Sequence, residues 1–82
     1  MTPRRQVAMY VERAGERFLA EWIEYAVGTG TRTHLGVLEY QRTLIPRGAV
    51  AVGLQASRYD LSEDEARAWL ADAGYRVVLA VG

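Results

Sequence analysis

Residues 61–82 constrain the fold more tightly than any other stretch of this chain. Ser62 stands where an N-cap belongs and Glu65 follows three residues later, the spacing of a capping box. Ala66, Trp69, Leu70 and Ala73 then recur at helical intervals and form one apolar stripe, with Glu63, Asp64, Arg67 and Asp72 opposite. Gly74 supplies a stop, and Tyr75-Arg76-Val77-Val78-Leu79-Ala80-Val81 reads as a strand. A one-sided helix followed directly by an apolar strand calls for a sheet that receives both.

Length sets the scale of that sheet. At 82 residues there is room for a single domain, 1–82, with one core. Half of the residues are hydrophobic, more than so small an interior can hide, so some apolar side chains must face outward. An exposed apolar face is the usual mark of a partner surface.

Charge and composition exclude several functions. Ten basic and ten acidic residues balance, so no general pull toward nucleic acid or anionic membrane is expected. All ten basic residues are arginine; lysine and asparagine, both with A-rich codons, are absent, which points to a GC-rich coding sequence before a binding site. Without cysteine there is no disulfide framework, thiolate metal site or cysteine nucleophile. No signal-peptide pattern opens the chain, and no apolar run approaches the ~18 residues needed to span a bilayer. The expectation is a cytoplasmic protein with no membrane contact.

Upstream, residues 6–12 alternate as a strand, with Val7, Met9 and Val11 on one face. Residues 16–27 admit two readings. Phe18, Leu19, Trp22, Ile23 and Ala26 make a helical stripe with Gly28 as its stop, and odd and even positions do not separate into apolar and polar sets, which favours a helix. The rival is a hairpin turning at Ala14-Gly15, which sets Arg13 beside Glu16, Glu12 beside Arg17 and Val11 beside Phe18. Beyond the flexible Gly28-Thr29-Gly30, residues 31–45 predict a strand that bends at Gly36. Pro46-Arg47-Gly48 predicts a turn, and residues 49–56 a further strand.

With the helix, the order βαββαβ resembles the ferredoxin-like arrangement: an α+β sandwich with a four-stranded antiparallel sheet and two helices on one face. That is the favoured fold class. With the hairpin, the order is ββββαβ, a four-stranded meander followed by helix and strand.

Either way, one sheet face escapes the helices. Placing Val7, Met9, Val11, Val50, Val52, Leu54, Tyr75, Val77, Leu79 and Val81 on the helix side leaves Ala8, Tyr10, Ala49, Ala51, Gly53, Val78 and Ala80 opposite. His34, Gly36, Leu38 and Tyr40 join them if the Thr31 strand keeps register. Small apolar residues and tyrosines occupy a face where water selects charged or hydroxyl side chains. Tyr10, Tyr40, Ala49, Ala51, Gly53 and Val78 are accordingly the candidate interface of a homo-oligomer, a dimer in the first instance.

Chemistry-bearing patterns are sparse. His34 is the only histidine and stands as the weak catalytic candidate, acting as a base with Ser57, Ser62 or a glutamate. No metal-ligand spacing surrounds it, neither serine sits in a nucleophile elbow, and no cofactor is expected. Glu12, Glu16, Glu21 and Glu24 cluster in sequence, but under the helical reading Glu21 and Glu24 share a solvated face, and Gly28-Thr29-Gly30 lacks the strand-then-helix context of a dinucleotide loop. Met9-Tyr10-Val11 and Arg47-Gly48 resemble elements of RNA-recognition motifs, but Ala49, Ala51 and Leu54 occupy the positions where stacking aromatics are needed. Arg47 and Arg58 flank the Ala49 strand as a candidate anion site. The sequence therefore points to a non-catalytic binding or assembly module that self-associates through its sheet face and takes a protein partner or small anion. Its rivals are a small dimeric α+β-barrel-type enzyme with an apolar pocket, and a phage-type accessory or inhibitor protein docking on a host protein.

Overall fold

The computed structural model describes residues 3–39 and 54–81. Within them the order is β1 (Pro3–Arg13), β2 (Glu16–Val27), β3 (Gly30–Glu39), β4 (Leu54–Tyr59), α1 (Glu63–Asp72) and β5 (Arg76–Val81). The strands form one five-stranded sheet in the order β4-β3-β2-β1-β5. Every neighbouring pair is antiparallel. The ferredoxin-like α+β expectation is thus overturned: the described chain is mainly β with a single short helix, and the element order is the alternative ββββαβ.

Residues 16–27 decide the matter, and they are a strand. Ala14 and Gly15 both adopt positive φ, 52° and 79°, the pattern of a type I′ turn whose twist suits a two-residue hairpin. The resulting register pairs Arg13 with Glu16, Glu12 with Arg17 and Val11 with Phe18. The second hairpin turns at Gly28, where φ is 58°. The helical stripe misled because β2 is apolar on both faces. Phe18, Ala20 and Trp22 enter the core, while Leu19 and Ile23 lie on the other side of the sheet. Period-two alternation shows only where one face is apolar and the other polar, and the outer face of β2 carries Leu19 and Ile23.

The core lies between the sheet and α1. Met9, Val11, Trp22, Leu35, Val37 and Leu70 are its largest fully buried side chains, with Ala66 and Tyr75 completing it from the helix and its exit. A buried leucine such as Leu70 contributes about 1.5–3 kcal/mol through burial alone. Tryptophan brings a polar N–H into this core, and Trp22 Nε1 donates to the Leu61 carbonyl at 2.9 Å. The same carbonyl accepts from Thr33 Oγ1 at 2.6 Å, so two sheet residues fix the chain just before the helix.

The helix ends follow the sequence closely. Ser62 Oγ accepts from the Glu65 N–H at 3.1 Å, and the Glu65 carboxylate accepts from the Ser62 N–H at 3.0 Å. That contact holds the Glu65 carboxyl below its ordinary range, first through the Ser62 backbone bond and then through its side chain. At the far end Gly74 takes φ 89°, its N–H donating to Ala71 and that of Tyr75 to Leu70. Those paired bonds make a Schellman stop.

β5 departs from the regular ladder in one place. Tyr10 pairs with Leu79 but Val11 pairs with Val77, so Val78 is the extra residue of a bulge. An inserted residue reverses which face later side chains take. Leu79 and Val81 therefore share the face of Tyr10 and Ala8, while Ala80 turns to the helix side with Met9. Uninterrupted alternation, as read from the sequence, had these three reversed. β4 likewise runs on to Tyr59 rather than ending at Ala56.

Candidate assembly surface

The face that α1 leaves open is organised in rows by the strand registers. Leu79, Tyr10, Leu19, Leu38 and Leu54 stand opposite one another across all five strands, an unbroken bulky apolar row. Beside it run Val81, Ala8, Glu21, Gly36 and Ser57, then Gln6, Ile23, His34 and Tyr59. Tyr59 is 60% exposed, Leu54 45% and Tyr10 38%, values that place large apolar side chains in contact with water rather than in a core. Charge is confined mainly to the margins. Arg76 and Arg17 both meet Glu12, at 2.6 and 3.4 Å, beyond one end of the rows, and Arg32 meets Asp60 at 2.7 Å beyond the other. Glu21, the acid within the rows, accepts from Gln6 Nε2 at 2.7 Å. An apolar centre with a polar rim is the anatomy of a protein interface.

His34 lies on this face. Its Nε2 is 2.7 Å from Ser57 Oγ, one group donating and the other accepting according to the tautomer. Its ring sits 4.8 Å from that of Tyr59 at 43°. Gly36 makes the arrangement fit, since a Cβ there would stand 3.3 Å from the imidazole Cε1. A histidine bonded to a serine is the first contact of an acyl-transfer pair. Here, however, it sits in an open depression bounded by Pro3, Ile23, Tyr25 and Tyr59, and among the described residues no carboxylate orients the imidazole. The geometry supplies a polar anchor in an apolar surface rather than an enclosed reaction site.

Of the interface residues read from sequence, Tyr10 lies in the principal apolar row, and Val78 sits at the bulge beside Leu79. Tyr40, Ala49, Ala51 and Gly53 lie outside the described residues, as does Arg47. Arg58 is on the helix side, its guanidinium 4.8 Å from the Trp69 ring centroid and Nη1 donating to the Ser57 carbonyl at 2.8 Å. Among the described residues no group of acids and histidines is placed to hold a metal, and no helix is long and apolar enough to cross a membrane. Leu19, Ile23, Leu54, Leu79 and Val81 are the contributors that sequence reading missed, Leu54 because the register shifts between Val37 and Leu38 and sets it opposite Leu38. The hairpin signal at Ala14-Gly15 was the one clue that would have put Leu19 and Ile23 on this face.

No protein-family model, curated protein or solved structure matches the chain. Among the described residues the fold and surface define a class: a five-stranded antiparallel sheet covered on one side by a crossover helix, with an apolar face left open on the other.

Proposed function

We propose that this protein is a small assembly module whose open sheet face packs against the same face of a second copy. The observation that carries the reading is the row Leu79, Tyr10, Leu19, Leu38 and Leu54, which runs from edge to edge of the sheet. Among the described residues a single helix covers one side of the sheet, and the other side must find a cover or expose leucines to water. A second copy is a natural cover, because a two-fold axis brings an apolar patch onto itself without any further partner. The marginal ion pairs remain wet at the rim, where they oppose misaligned packing.

Native mass measurement at micromolar concentration tests this. The wild-type chain is expected to associate, and Leu38→Lys, which places a charge in the middle of the row, is expected to reduce its mass. A strictly monomeric wild type, or a variant with unchanged mass, refutes the reading.

A further inference from the structure

The outer edge of β5 carries a second kind of exposure, which face packing does not relieve. All six residues of the strand, Arg76–Val81, are exposed. Leu79 and Val81, each 56% exposed, point to the open face, yet Val77, 36% exposed, stands opposite core residue Val11 on the helix side. Among the described residues β5 pairs with β1 alone, so a sheet packing on the open face covers the first pair and leaves Val77, Ala80 and the outward N–H and C=O groups of the edge without a partner strand. An occupant that relieves both faces and the hydrogen-bonding edge at once has to be another extended strand.

We propose that β5 pairs antiparallel with β5 of a second copy, joining two sheets into one of twice the width. The charge pattern selects this occupant and direction. β5 carries one charged residue, Arg76, at its first position, whereas the opposite edge strand β4 includes Gln55, Ser57 and Arg58. Parallel self-pairing sets Arg76 against Arg76, which is unfavourable for like charges in opposition. Antiparallel self-pairing moves the two arginines to opposite ends and faces apolar residues with apolar residues. Its two-fold axis stands perpendicular to the sheet, so both open faces end on the same side. The edge pairing stands without the face packing proposed above. Where both operate, their two-fold axes are perpendicular, and axes that also intersect close on four copies rather than an open fibre.

Two surfaces predict two separable readouts on the full chain: native mass, and hydrogen exchange at those β5 amides that point away from β1. The edge variant Val77→Lys/Ala80→Lys places charge on the helix side of β5 and leaves the open face unchanged; Ala80→Lys alone is a milder form should the double variant fold poorly. The wild type is expected as four copies. The edge variant is expected as two, with its outward β5 amides exchanging about tenfold faster or more. Leu38→Lys is expected as two copies that retain β5 protection. A wild-type dimer that the edge lysines dissociate and Leu38→Lys does not upholds the edge pairing and removes the face packing. Outward β5 amides that exchange as fast in the wild type as in the edge variant, or a mass unchanged by the edge lysines, overturn the proposal.

Discussion

Arg13 and Tyr75, 62 positions apart in sequence, meet with the guanidinium carbon 4.2 Å from the ring centroid, and the same Arg13 donates from Nη1 to the Ala73 carbonyl at 3.3 Å. Helix α1 has no basic residue in its last turn. The end of β1 supplies that cation instead, next to carbonyls that carry the negative end of the helix dipole. Tyr75 in turn lies edge-on to Phe18, with ring centroids 5.4 Å apart. One arginine thus ties together the first hairpin, the helix stop and the start of β5.

Arg13→Ala is expected to lower stability by about 1 kcal/mol, the sum of a weak dipole contact and a partly exposed cation–π contact. For a domain of this size that is about 4–8 °C in Tm. Arg13→Lys is expected to recover part of it. An unshifted melt for Arg13→Ala counts against the role assigned to this residue.

Trp22 anchors the entry to the helix as Arg13 anchors its exit. Trp22→Phe keeps most of the ring but removes the donor to Leu61, and a loss of about 0.5–1.5 kcal/mol is expected. Denaturant unfolding is the suitable measurement, because an unchanged slope shows that the midpoint shift is a stability change. A midpoint equal to that of the wild type contradicts the assignment.

The capping box gives a pH dependence with a definite sign. The Glu65 carboxyl is held below its ordinary value of 4.5, so its contribution is present above that value and disappears as pH falls through the depressed folded value. Glu65→Gln is therefore expected to melt below the wild type at neutral pH, with the difference closing under acid conditions. A gap that widens on acidification reverses the sign and defeats the account. Ser62→Ala, which removes the other half of the box, is expected to cost about 1 kcal/mol.

Ala14 holds φ at 52° in the first hairpin. A left-handed backbone costs an alanine roughly 1–2 kcal/mol relative to the right-handed region, and glycine is relieved of that steric cost. Ala14→Gly and Ala14→Asn are both expected to raise Tm, by up to a few degrees after glycine's greater unfolded-state freedom is counted. Lower melting temperatures for both variants would speak against a strained turn.

The helix and its neighbours were legible because their signals are local. Ser62, Glu65 and Gly74 act within a few residues of where they stand, and each takes the role its spacing indicates. The strand β2 was illegible for the opposite reason. Leu19 and Ile23 are apolar on the sheet face that α1 leaves open, so no local alternation of apolar and polar positions marks them as strand residues. Tyr10 was placed on the open face correctly because β1 alternates without interruption through it. Leu79, Ala80 and Val81 were misplaced by one extra residue at Val78, which no composition or period announces. His34 and Ser57 were named as a conceivable pair, but only the register of β3 against β4 brings them to 2.7 Å.

The strand order also fixes a timetable. β1, β2 and β3 are joined by short turns and pair with their immediate neighbours in sequence. β5 must travel across the sheet to reach β1, closing a loop that spans most of the chain. Loop closure of this kind is slow, because its entropy is lost before contacts offset it. Until it closes, β1 presents its own bare edge, and β5 is a free apolar strand able to reach the wrong copy. Exchange of β5 between chains is thus the misfolding route that this topology favours, and dilute refolding is the condition that suppresses it.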